Sequence, residues 1–259
     1  MVIGCRNLAA SQKVATELSC NVSGSVEAMK LDLYNPDSIR QFVDEFKQKH
    51  GKLKALINNA GVNFPNDTRH DPANDREVIL HTNYVGPFLL TKLLLPTLEA
   101  SAPSRIINLS SAAHEGFLVP SMPRMNFDDL EWRARKYNGV NAYSESKLMV
   151  TLHTEELARR YGDKNVVAVS VQPGFILSGS GLTRAFMGPV SKHMMVPISW
   201  CLGAVSVTDG IQTTLHCVLA DNVVNGACTC LRATLACSHP ADDATCSAPT
   251  LTACCLPGV

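Results

Sequence analysis

Tyr143 and Lys147 stand four residues apart in a segment, Ala142 to Tyr161, whose apolar spacing is helical. Four apart on a helix means one face and one turn. A free phenol has a pKa of about 10, and a lysine ammonium a few ångströms away favours the phenolate. The pair can therefore act as a general acid/base on an alcohol or a carbonyl. A hydroxyl from Ser111, or from its neighbour Ser110, could hydrogen-bond the same substrate oxygen. A Tyr and a Lys at this spacing are also a common surface pair, so the elements around them decide the weight they carry.

Those elements alternate. Short runs rich in Val, Ile and Leu (Val2-Ile3-Gly4-Cys5, Val26 to Leu33, Leu53 to Asn58, Arg105 to Leu109, Asn165 to Val171) are separated by segments of helical period. Ile39, Phe42, Val43 and Phe46 mark one helix face after the start signal Asn35-Pro36-Asp37-Ser38; Glu77 to Leu98 is apolar on most sides. This alternation predicts a parallel sheet with helices on both faces, a doubly wound, three-layer α/β/α fold. In such sheets ligands bind beyond the carboxyl ends of the strands. Arg6, Asp32, Asn58-Asn59-Ala60-Gly61, Ser110-Ser111 and Pro173-Gly174 follow the successive strands, and packing alone does not explain that series.

Joined in order, these residues resemble the short-chain dehydrogenase/reductase family. The resemblance rests on Asn58-Asn59-Ala60-Gly61, Asn83, Asn108-Leu109-Ser110-Ser111, Tyr143-Ser144-Glu145-Ser146-Lys147 and Pro173-Gly174, and runs from residue 2 to about Gly226. Leu31-Asp32-Leu33 with Ser38 to Phe42, the long insert before Tyr143, and Gln212 to Cys217 look most like the retinol-dehydrogenase-like branch. The resemblance implies a Rossmann-like fold and an oxidoreductase that interconverts an alcohol and a carbonyl. Tyr143 would be the acid/base, Lys147 would lower its pKa and hold the nicotinamide ribose, Ser111 would orient the substrate oxygen, and Asn83 would support a proton relay near Lys147. Asn59, Ala60 and Gly61 would pass close to the cofactor, where small residues let the backbone approach. Asp32, with Leu33, would meet the adenine. Pro173 and Gly174 would shape the loop near the nicotinamide, and Ser178 would contact the carboxamide or phosphate. Arg6, with no acid beside it, favours NADP(H) by accommodating a 2′-phosphate; the alternatives are an idle surface Arg6 and a solvated Asp32.

The chain also departs from the pattern. The family opens with a strand and a Gly-x-x-x-Gly-x-Gly turn that presents a helix N-terminus to the pyrophosphate, and no such glycines precede Arg6. The expectation is a sheet lacking its first strand, with the flanking strands exposed. Residues 1–231 are expected to form the dehydrogenase domain and residues 232–259 a Cys-rich tail without packed structure. Six of the ten cysteines fall in the last 32 residues, but no paired Cys-x-x-Cys units of zinc spacing occur, so no metal site is expected. The apolar, Met-rich stretch between Gly174 and Val207 suits a small lipophilic substrate of retinoid, steroid or lipid type, and equally suits core packing.

Composition excludes other classes. Of 259 residues 46% are hydrophobic, and 23 basic side chains balance 23 acidic ones. That balance gives no electrostatic case for nucleic acid. No long uninterrupted apolar run predicts a membrane span, and no leader pattern opens the chain. A cytoplasmic location is the default, with membrane association if an anchor precedes this sequence; a homodimer is compatible with the reading. The competing function is a truncated, non-catalytic relative that acts through protein contacts or is inactive.

Overall fold

The computed structural model describes residues 1–63, 71, 74–115, 125–176 and 204–230. In chain order the elements are β1 (Val2–Cys5), α1 (Leu8–Asn21), β2 (Glu27–Lys30), α2 (Pro36–Lys49) and β3 (Ala55–Asn58). A helical run follows: α3 (Val78–Leu80), a π-turn (His81–Val85) and α4 (Gly86–Ala100). Then come β4 (Ser104–Leu109), α5 (Gly139–Tyr161), β5 (Val166–Gln172), β6 (Phe175–Ile176), β7 (Ala204–Val205), α6 (Val207–Leu219) and β8 (Cys228–Cys230).

Among the described residues every strand pairing is parallel, as continuous Val/Ile/Leu strands with intervening helices require. The strands form β1–β2, β3–β4–β5–β8 and the short pair β6–β7. In the main sheet Ile57, Ile107 and Val169 stand in one row. Period-2 alternation then sorts the core. Ile106, Val166 and Ala168 face α4 and α5, meeting Leu95, Leu98 and Leu157. Ile107, Val169 and Val171 face the other way and meet Cys217 of α6. The helices thus cover both faces. A further cluster joins α2 (Ile39, Phe42, Val43, Phe46) to Leu90 and Leu94 of α4, over Met29 and Leu31.

Among the described residues no hydrogen bond joins β1 to β3, so the expected gap in the sheet is present. Strand β3 is an edge of the described sheet, and its Ile57 side chain shares the face of buried Ile107 but is 45% exposed.

The helical boundaries follow from caps. Asn7 accepts from Ala10 N–H at the start of α1, Asn35 accepts from Asp37 and Ser38 N–H at α2, and Asn138 accepts from Val140 and Asn141 N–H at α5. Helix α5 therefore begins three residues before the apolar spacing alone suggests. Gly86 opens α4 because a Cβ there would lie 2.0 Å from the Leu33 carbonyl oxygen. The run Val78–Ala100 is long and apolar enough to cross a membrane by composition. Its Ile79, Leu80, Leu90, Leu94, Leu95 and Leu98 are instead buried within the fold.

Candidate active site

The carboxyl ends of β3, β4 and β5 bring Gly61, Ser111, Tyr143 and Lys147 into one neighbourhood. Strand β4 ends at Leu109, and the next two residues diverge. Ser110 stays inside: its hydroxyl donates to the Lys147 carbonyl at 3.1 Å and lies 3.0 Å from Thr151 Oγ1. Ser111 turns outward, and its hydroxyl is hydrogen-bonded to Tyr143. The choice between the two serines is therefore a matter of direction at a strand end, and Ser111 is the one that meets the phenol.

Tyr143 is 5% exposed and Lys147 4% exposed, on the inner face of α5. The Lys147 Nζ donates to the Leu109 carbonyl at 2.7 Å and lies 5.7 Å from the centre of the Tyr143 ring. Burial disfavours the ammonium and brings the Lys147 pKa down to about 8. Burial pushes the Tyr143 phenol up, and the Ser111 hydrogen bond opposes that rise. This differs from the expectation that Lys147 lowers the Tyr143 pKa. The physical reason is desolvation of the ring, with one ammonium donor committed to Leu109. Of the three donors an ammonium carries, two remain for other partners.

Asn83 is the middle residue of the π-turn, a local widening of a helix that recurs at functional sites. Its Oδ1 accepts from Val62 N–H at 2.8 Å, and its Nδ2 donates to the Val62 carbonyl at 2.9 Å and to Ser146 Oγ at 3.1 Å. Ser146 in turn donates to the Tyr143 carbonyl at 2.7 Å. The amide is thus fully engaged, and it ties the loop after β3 to helix α5. A Cβ on Gly61 would sit 3.4 Å from Lys147 Nζ and 3.6 Å from Asn83 Oδ1, so this glycine borders both groups. Below them Asn58 donates to Asn108 at 2.7 Å and Asn108 to Thr154 at 2.9 Å, satisfying buried amides across the sheet.

The other expected cofactor residues lie at strand ends as well. Arg6 is exposed beyond β1, and its carbonyl accepts from Lys30 Nζ at 2.6 Å. One Asp32 carboxylate oxygen is taken by Tyr34 N–H at 3.0 Å, which closes a turn. Leu33 packs on the α2–α4 cluster. Asn59 and Ala60 are exposed, as a cofactor-facing loop needs. Gly174 has φ +84°, a conformation that favours glycine, and a Cβ there would meet Val205 at 3.2 Å. Ser178, the stretch 177–203 and residues 231–259 lie outside the described residues. Among the described residues no group of three or more His, Cys, Asp or Glu side chains could hold a metal ion.

Sequence reading missed the buried acids and their partners: Glu77, Asp129, Glu131, Arg135 and Glu145. One signal was available, since Glu77 immediately precedes the apolar helical run and caps it.

The sequence profile for short chain dehydrogenase matches residues 1–120. Retinol dehydrogenase 13 of Homo sapiens is 38% identical over 205 residues, covering 78% of this chain and 59% of that protein. Retinol dehydrogenase 12 of Mus musculus is 36% identical over 225 residues, covering 85% of this chain and 66% of that one. The chain belongs to the short-chain dehydrogenase/reductase family, in its retinol-dehydrogenase-like branch. It spans 59% to 66% of the length of these curated relatives. A gluconate 5-dehydrogenase from Burkholderia cenocepacia, solved with NADP and tartrate, superposes with a TM-score of 0.68 at 17% identity. That superposition covers 92% of this chain and 86% of the other, and it shows the shared fold.

A dinucleotide of the kind this family's fold accommodates has a compatible reception at one end of the site. The small, exposed Asn59–Gly61 loop runs beside Lys147 Nζ, which has donors to spare. Arg6 offers an exposed guanidinium, and Asp32 a half-buried carboxylate, at the ends of β1 and β2.

Proposed function

We propose that this short-chain dehydrogenase/reductase is an NADP(H)-dependent oxidoreductase that interconverts an alcohol and a carbonyl on a small lipophilic substrate. The observation that carries the reading is the convergence of Ser111, Tyr143 and Lys147 at the end of β4, with Asn83 tied into the same network. NADP(H), when bound, supplies or accepts the hydride. In the reducing direction the Tyr143 hydroxyl gives its proton to the substrate oxygen, and Ser111 hydrogen-bonds and orients that oxygen. Lys147, placed one helical turn on, would hold the nicotinamide ribose with a free donor and, with the cofactor in place, would favour the phenolate left behind. Asn83 holds the Val62 backbone and Ser146, and so supports the relay beside Lys147. Arg6 would read the 2′-phosphate, Asp32 and Leu33 would face the adenine, Pro173 and Gly174 would shape the loop near the nicotinamide, and Ser178 would contact the carboxamide or phosphate.

The names of the curated relatives favour a retinoid substrate, and the apolar, Met-rich composition of 174–207 agrees. A fluorescence titration with NADPH and NADH, followed by turnover with retinal, tests the reading. Tighter NADPH than NADH binding, reversed by Arg6→Glu, supports it. A second reading, a non-catalytic relative, draws on the separation of β1–β2 from the main sheet. Absence of binding by either cofactor would favour that reading.

A further inference from the structure

Residues 125–138 supply no group to the reaction, yet their side chains reach both halves of the proposed catalytic set. Toward the π-turn, Glu131 uses both carboxylate oxygens: Oε1 pairs with His81 Nε2 at 2.8 Å, and Oε2 accepts from Glu77 N–H at 2.7 Å. Tyr137 donates to Glu77 Oε1 at 2.9 Å, and Glu77, fully buried, accepts from the N–H groups of Ile79 and Leu80. His81 opens the turn whose third residue is Asn83. Toward helix α5, Arg135 makes a two-pronged ion pair with Glu145, both contacts at 2.7 Å. Glu145 sits between Tyr143 and Lys147 and is itself buried.

The stretch is also braced by contacts of its own. Asp129 accepts from the N–H groups of Arg133, Ala134 and Arg135. The Arg135 guanidinium lies 3.5 Å over the Trp132 ring, with Tyr137 edge-on to that ring. Trp132 holds φ +56°, a conformation a bulky residue keeps only where its surroundings enforce it. It is buried in one cluster with Ile79, Ala113, Ala142 and Tyr143. A paired guanidinium–carboxylate fork fixes both distance and orientation.

We infer that residues 125–138 act as one positioning strap, in which Glu131 and Arg135 set the Asn83 turn and the Tyr143 helix against each other. The inference rests on the roles proposed above for Asn83 and Tyr143. Its signature is a cross-effect: loosening either anchor disturbs both halves.

Two readouts need no turnover. The ionisation of Tyr143 is followed by ultraviolet difference titration of each protein against its own Tyr143→Phe partner. The grip of Asn83 is followed by hydrogen exchange of the Val62 amide, which Asn83 accepts. Glu131→Ala and Arg135→Met should each speed Val62 exchange about tenfold, the factor one lost buried hydrogen bond implies. Each should also bring the Tyr143 midpoint down towards that of a solvated phenol, while the core amides Ile106 and Ile107 keep their protection. Glu131→Gln, which can still accept from Glu77 N–H and donate towards His81, should restore both readouts. If Glu131→Ala or Arg135→Met fails to fold, Glu131→Asp and Arg135→Lys carry the same comparison at smaller amplitude. Should Glu131 variants move only Val62 and Arg135 variants only Tyr143, the two ties are independent and the strap is wrong. A wild-type chain without turnover would overturn the proposed function and leave this comparison intact.

Discussion

Two adjacent serines at the end of β4 illustrate what one residue of chain direction decides. Ser110 bonds within α5 and Ser111 bonds to Tyr143. Ser111→Ala should lower kcat by about 100-fold, within the range for a lost acid/base partner, with NADPH affinity little changed. Ser110→Ala should instead cost about 1–3 kcal/mol of unfolding free energy, the penalty for stranding buried partners. Steady-state kinetics and denaturant unfolding separate the two. Sequence alone left this pair open because both are serines and only the end of the strand determines which one turns out. Lys147 adds a pH dependence. Its folded pKa of about 8 lies below its ordinary value of 10.5. Between those values the unfolded chain binds the extra proton, so stability rises with pH across that window. Wild type should therefore gain up to roughly 3 kcal/mol relative to Lys147→Met between pH 8 and pH 10.5. A flat difference across that range would show that Lys147 is not buried as described.

Helices and strands were legible where period and caps agree. The face Ile39, Phe42, Val43, Phe46 is buried as its spacing dictates. Helix α5 starts earlier than its apolar spacing because Asn138 caps it. Strand β2 ends at Lys30, one residue before Leu31, whose N–H still donates to the Cys5 carbonyl at 2.9 Å while its side chain joins Met29 in the α2–α4 cluster. The π-turn at His81–Val85 left no trace in the apolar pattern, because one extra residue in a turn shifts the face without breaking the run. The buried acids escaped notice for a different reason: their partners, such as Glu77 with Tyr137 and Arg135 with Glu145, meet only after folding. At this scale Gly86 is the sharpest test. Any side chain there collides with the Leu33 carbonyl, so Gly86→Ala should cost about 1–3 kcal/mol by overpacking, despite its better helix propensity. Thermal unfolding measures it, and an unchanged or raised Tm would contradict the close approach.

Across the whole molecule the sheet is continuous from β3 to β8 and interrupted between β3 and β1. The β1–β2 pair is backed by α1, of which Ala15 is the one buried residue. Small units with few buried apolar side chains open first. Native-state hydrogen exchange should therefore show Ile106, Ile107 and Val169 opening only with global unfolding. Ile3 and Met29 should exchange through a cheaper local opening. Equal protection at both places would mean that β1–β2 is held more firmly than its hydrogen bonds show. The lack of a glycine pattern before Arg6 was readable in the sequence; the exposure of Ile57 on edge strand β3, on the face that buries Ile107, became visible only in the fold.

The central claim is that Tyr143 delivers and takes the proton of an NADP(H)-dependent alcohol–carbonyl interconversion. The most direct test is retinal reduction by the 259-residue chain and by Tyr143→Phe, with NADPH affinity measured in parallel by fluorescence. The account predicts measurable turnover in the wild type, a loss of at least about 100-fold in the variant, and similar NADPH affinity in both. Full turnover by Tyr143→Phe would contradict it.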